Sequence, residues 1–167
     1  MKAIQPQDDR MYGLIALYDL HTDYFVRALE GIWNEDAHDR KGTNANHVAW
    51  LAGSLVHQRY ELAKIFTGVS HTHAGHELFK DNQGIKDTAT YPTLEEYKKD
   101  WETISPTTRE ALLKASAEKL DSNFEMMPGT AFPYYDLIAF SIYREANMIG
   151  QIALWRRLLG YDALNYM

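Results

Sequence analysis

Cysteine is missing from all 167 residues, which excludes disulfides, thiolate nucleophiles and cysteine-ligated zinc, so that any metal would have to be held by histidine or carboxylate. Basic excess is missing too. The formal net charge is −6 and the pI about 5.6, and without a basic stripe the chain has no general attraction for phosphate, so neither nucleic acid nor an anionic membrane is an expected partner. No window approaches about 18 uninterrupted apolar residues, and the opening MKAIQPQDDR has no apolar core of a signal peptide. A cytoplasmic protein is the expectation. Internal repeats, low-complexity tracts and alternating strand patterns of useful length are also lacking.

What is present is 46% hydrophobic and 24% charged residues, enough apolar surface for a single domain over residues 1–167. The apolar positions recur with helical spacing. Met11, Ile15, Tyr18, Thr22, Phe25, Leu29 and Ile32 step by fours and threes after Asp8 and Asp9, which can cap and charge a helix start. A second row, Val48, Leu51, Leu55, Leu62 and Ile65, follows the possible caps Thr43 and Asn44. Thr93 and Glu96 form a capping box ahead of a third row, in which Pro106 predicts a kink or split near Ser105. After the turn segment MMPGTAFP, the longest row runs from Tyr134 to Leu159 and stops at Gly160, with Arg156 and Arg157 placed at the negative helix end. Four long helices are predicted, near residues 8–33, 44–67, 93–121 and 133–159. The aperiodic 69–92 stretch serves as a long crossover between helices two and three, so the fold class is all-α, a four-helix bundle in up-down-down-up order.

The motifs NHVAWLAGSL and NMIGQIALWRRLLG, with FKDNQGIKDTATYPTLEEY between them, resemble the DinB/YfiT-like superfamily of four-helix bundles. Gly150-Gln151 followed by Arg156, Arg157 and Gly160 is the most specific part. The resemblance implies a homodimer and a three-histidine site for nickel or zinc, used in some relatives for thiol-dependent transfer or isomerisation. Its ligand positions correspond to Ser54, Arg144 and Met148 here. None is histidine, and a guanidinium opposes a cation directly. The family's metal chemistry is therefore not expected, and no cofactor is assigned.

The polar positions along the core rows are the candidate site. Ser54, His57, Arg144, Glu145, Met148 and Gln151 are the cavity candidates, and Arg144 is suited to hold the carboxylate of a small polar or anionic ligand. An unpaired interior guanidinium would call for a nearby carboxylate, with Glu145, Glu61 and Asp19 as candidates. An assembly role is the companion reading. The alternative is an enzyme of the transferase or isomerase type, with nickel or zinc on displaced ligands such as His57 and Glu145. His71, His73 and His76, in HTHAGHE, lack the strand context of a hydrolase zinc motif and read as a solvated loop. The tryptophans and tyrosines at helical spacing read as core, and Gly53 and Gly150, inside helices, as points of close packing.

Overall fold

The computed structural model describes residues 4–167. The chain is mostly helical: among the described residues the only sheet is one two-stranded hairpin. Helix α1 (Met11–Leu29) begins after Asp8, whose carboxylate accepts the Arg10 amide at 3.0 Å. It ends earlier than its apolar row, because Glu30 leaves the helical region and Gly31 adopts φ +73. Helix α2 (Val48–Thr67) starts later than expected. Its cap is His47 rather than Thr43 or Asn44, with Nδ1 accepting the Trp50 amide at 3.0 Å. Gly68, at φ +75, ends it.

The following connection is ordered around a short helix, α3 (His76–Phe79), and a 3-10 turn at Lys80–Asn82. The predicted capping box opens α4 (Leu94–Leu113): Thr93 Oγ1 accepts the Glu96 amide, and the Glu96 carboxylate accepts that of Thr93 at 2.8 Å. Pro106 does not split this helix. Proline deprives only the carbonyl four residues back of its donor, and that residue, Glu102, is exposed. The break comes instead at Lys114–Ser116, where Ser116 caps α5 (Ala117–Asp121). MMPGTAFP is not merely a turn. It forms much of an antiparallel hairpin, β1 (Asn123–Met127) and β2 (Thr130–Pro133), reversed at Gly129 with φ +78. Helix α6 (Tyr134–Leu158) then runs 25 residues, and Gly160, at φ +91, follows its end.

Helix α1 packs on α4 and α6, and α2 packs on the same two. Side-chain bonds give the directions. Tyr18 donates to the carbonyl of Ser105 and the Trp101 indole to that of Thr22, so α1 and α4 run antiparallel. Gln58 reaches the Ser141 carbonyl while the Trp155 indole reaches that of Asn46, so α2 and α6 are antiparallel as well. The Arg59 and Tyr60 contacts to Ser105 and Asp100, with Gly53 against Tyr97, make α2 and α4 parallel. Two apolar clusters result. The larger contains Phe25, Leu55, Trp101 and Trp155, and the smaller Met11, Ile15, Leu120 and Ile138. Among the described residues, no helix is long and apolar enough to cross a membrane.

Arg59 joins the two clusters, its guanidinium lying 3.8 Å from the Tyr18 ring and 3.4 Å from that of Trp101. It donates to both Glu145 oxygens at 2.8 and 2.9 Å and to the hydroxyls of Thr22 and Ser105. His21 Nδ1 stands 3.3 Å from the same carboxylate. Burial tends to raise the Glu145 pKa, but the Arg59 charge and the hydrogen bonds from Arg59 and His21 outweigh it and hold the carboxyl below its ordinary value. A charge pair with neither partner exposed is tolerable because each hydrogen-bonding direction is met.

Candidate functional site: a cavity beside Arg144

The antiparallel contact of α2 and α6 brings Ser54 and Arg144 together. Arg144 donates from one arm to Ser54 Oγ at 2.7 Å and from the other to Gln58 Oε1 at 2.8 Å. Gln58 is fixed in turn, since its amide nitrogen donates to the Ser141 carbonyl at 3.0 Å. These bonds hold the guanidinium at the wall of a cavity of about 390 Å³, bounded by Trp50, Phe79, Leu137 and Phe140 and by the polar groups of Ser54, His57, Gln58 and Glu61. Its size suits a small molecule.

The expected carboxylate partner is not there. Glu145 is bound to Arg59, Asp19 takes Arg109 at 2.7 Å, and Glu61 stands 3.9 Å from Lys64. Among the described residues Arg144 has no ion pair and three N–H groups without a partner. Arg144 is only half-buried, so the cavity mouth and two neutral acceptors suffice to keep it charged. Burial nonetheless pulls its pKa below the ordinary value, offset in part by the neighbouring Glu145 charge.

The other cavity candidates are distributed as follows. His57 lines the cavity. Glu145 lies in the buried layer with Arg59, Met148 is buried in the larger apolar cluster, and Gln151 is exposed, donating to Asn147 at 2.7 Å. The three positions that correspond to family ligands do not fit a divalent ion, because a hydroxyl, a guanidinium already bonded to it and a core thioether offer no anionic or imidazole donor set. Two larger hollows, of about 600 and 740 Å³, lie elsewhere. Their cations are engaged: Lys114 with Glu110, Lys119 over the Tyr134 ring, and Arg109 with Asp19.

HTHAGHE differs most from its sequence reading. His71 is exposed, but His73 is buried and His76 half-buried, and both face His57. The signal for this was the number of histidines in a short span. What the sequence could not supply was the fold-back of that span onto α2. Gly53 makes the approach possible, since a Cβ there would lie 2.5 Å from both the Phe79 ring and the Tyr97 hydroxyl. Gly150 has no such role, as nothing lies within 4 Å of a Cβ at that position.

Compared with known proteins, the chain matches no family model and no curated protein.

Proposed function

We propose that the chain is an up-down-down-up four-helix bundle of the DinB-like type that binds a small anionic molecule, a carboxylate, between α2 and α6. The paired directions of the four long helices and the long 69–92 crossover support the topology. One observation carries the function: the Arg144 guanidinium is fixed at the cavity wall by two neutral acceptors, with no carboxylate paired to it among the described residues. Its remaining N–H groups can meet a carboxylate in a fork, and the partial desolvation of the site strengthens such bonds relative to water. Apolar walls from Trp50, Phe79 and Phe140 would cover the rest of the ligand. Glu61, on the same wall, favours a monoanion over a more highly charged ligand by repulsion.

The enzymatic alternative with His57 and Glu145 as joint metal ligands is weaker, because both Glu145 oxygens already accept from Arg59. A homodimer is part of the proposal. Phe140, Tyr143, Leu154 and Leu158 are exposed along one outward stripe of α6, an apolar surface suited to a second copy. The ligand reading is tested by calorimetric titration of the full chain with acetate, propionate and benzoate, and with phosphate as the competing anion class. Saturable binding of a carboxylate that vanishes in Arg144→Met is the expected result.

A further inference from the structure

A second chemistry lies on the other side of His57. The turn His73–His76 is closed by the His76 amide donating to the His73 carbonyl at 3.1 Å, which puts two imidazoles on one edge of the segment. The turn is fixed from several directions. The Ala74 amide donates to an Asp100 carboxylate oxygen on α4 at 2.8 Å, the Tyr60 ring lies 4.9 Å from that of His73, and Gly75 fits where a Cβ would press on Phe79 and Tyr97 at 3.1 Å.

The result is a nearly equilateral triangle of imidazoles. Ring centroids are separated by 5.3 Å for His57 and His73, 5.8 Å for His57 and His76, and 5.6 Å for His73 and His76. One ring nitrogen from each lies within 4.8 Å of the other two. His57 Nδ1 and His73 Nε2 are 3.0 Å apart. Tetrahedral zinc at about 2.0–2.1 Å from each nitrogen needs separations of roughly 3.4 Å between them, and the observed separations run from 3.0 Å for His57 and His73 up to at most 4.8 Å.

Simple packing is an incomplete account of the cluster. His73 Nε2 faces His57 Nδ1, while its Nδ1 is buried without a hydrogen-bond partner among the described residues, so both ring nitrogens are withheld from solvent and packing leaves the ring's polarity unmatched. Ligation also needs neutral imidazoles. Burial lowers the pKa of His57, against the charge of Glu61 and with those of His76, Arg144 and Lys64, and burial lowers that of His73 to about 4.

We propose that His57, His73 and His76 bind one divalent transition-metal ion of the zinc, cobalt or nickel class, with at least one coordination position open to water or to a ligand. Three imidazoles suit these borderline ions, and magnesium or calcium would prefer oxygen. The three residues do not coincide with Ser54, Arg144 and Met148, and the assignment does not depend on anion binding by Arg144. Glu61, whose charge acts on His57, favours the cation, whereas Arg144 and Lys64 oppose it. His57 also lines the Arg144 cavity, so an ion here would border the space in which the carboxylate is held.

The test is a titration of the full chain with Zn²⁺, followed by NMR of ¹⁵N-labelled imidazoles, together with equilibrium dialysis against Co²⁺. One ion per chain is expected, with the resonances of His57, His73 and His76 shifting while those of His21, His38, His47 and His71 stay in place. His76→Gln and His57→Gln should each weaken retention by about tenfold or more. His71→Ala should retain the ion as wild type does and Arg144→Met at least as tightly, which separates failure of this site from failure of the anion site. Shifts centred on His38 or His71, no retained ion, or retention unaffected by both glutamine variants in folded protein would overturn the assignment. The wild-type imidazole spectra decide the matter even if a variant does not fold.

Discussion

Replacing Glu145 with glutamine isolates the buried charge layer. Arg59 would keep its cation at a position with no solvent exposure, while its partner became a neutral amide. Removing one member of a buried pair typically costs about 3–5 kcal/mol. The lower end applies here, because Arg59 would retain the Thr22 and Ser105 hydroxyls, each at 2.7 Å, and the ring faces of Tyr18 and Trp101. A loss of about 3 kcal/mol in a chain of this length corresponds to roughly 6–12 °C in Tm. Urea unfolding followed by circular dichroism would measure it. The double variant Arg59→Met with Glu145→Met should recover most of the loss, since an apolar pair of similar length removes both desolvation penalties. A cost below about 1 kcal/mol for Glu145→Gln would refute the reasoning, because the pair would then have to be reached by water.

Three further outcomes follow from separate parts of the structure. His47 caps α2 through an unprotonated Nδ1, and burial, aided by the His38 and Arg40 charges, lowers its pKa to about 4. Its folded-state pKa lies below the ordinary 6.5, so the stabilisation is fully present above about pH 6.5 and is lost as pH falls through 4. An NMR titration showing His47 protonated at pH 6 would contradict this. Gly53→Ala should destabilise by about 1–3 kcal/mol through overpacking against Phe79 and Tyr97. Gly150→Ala, with open space around it, should instead stabilise by roughly 1 kcal/mol. Urea midpoints moving in the same direction for both would be inconsistent with the packing described. Light scattering should return about twice 19.3 kDa, falling to the single-chain mass when Phe140 and Leu154 are both replaced by glutamate; a wild-type mass of one chain across a concentration series would remove the dimer.

The long helices were legible because their apolar rows extend over several turns, and the Thr93 capping box and Gly160 stop were local enough to be read directly. The hairpin was not. Its strands are five and four residues long and Phe132 is exposed, so burial leaves little alternation to detect. Pro106 does not end α4, because its cost depends on where the freed carbonyl lies, which the sequence does not show. The meeting of Ser54 with Arg144 depends on the packing of α2 against α6, which helical spacing alone does not give. The allocation of carboxylates did not follow, since Glu145 stands beside Arg144 in sequence but projects to Arg59, and helix neighbours point about 100° apart. The imidazole triangle depends on a fold-back of the 69–92 connection, for which no periodicity exists. Gly53 and Gly75, both against Phe79 and Tyr97, mark the close approach, but a glycine alone does not show what packs on it.

The central claim is that Arg144 is a cation held for an external anion rather than for a partner within the chain. Calorimetric titration of wild type and Arg144→Met with benzoate, with urea unfolding of both proteins in parallel, tests it most directly. The account predicts saturable binding of one benzoate per chain by wild type, abolished in Arg144→Met, whose stability is unchanged or higher because among the described residues no internal ion pair is lost. Equal binding by the two proteins, no binding by wild type, or a loss of several kcal/mol of stability in the variant would contradict it.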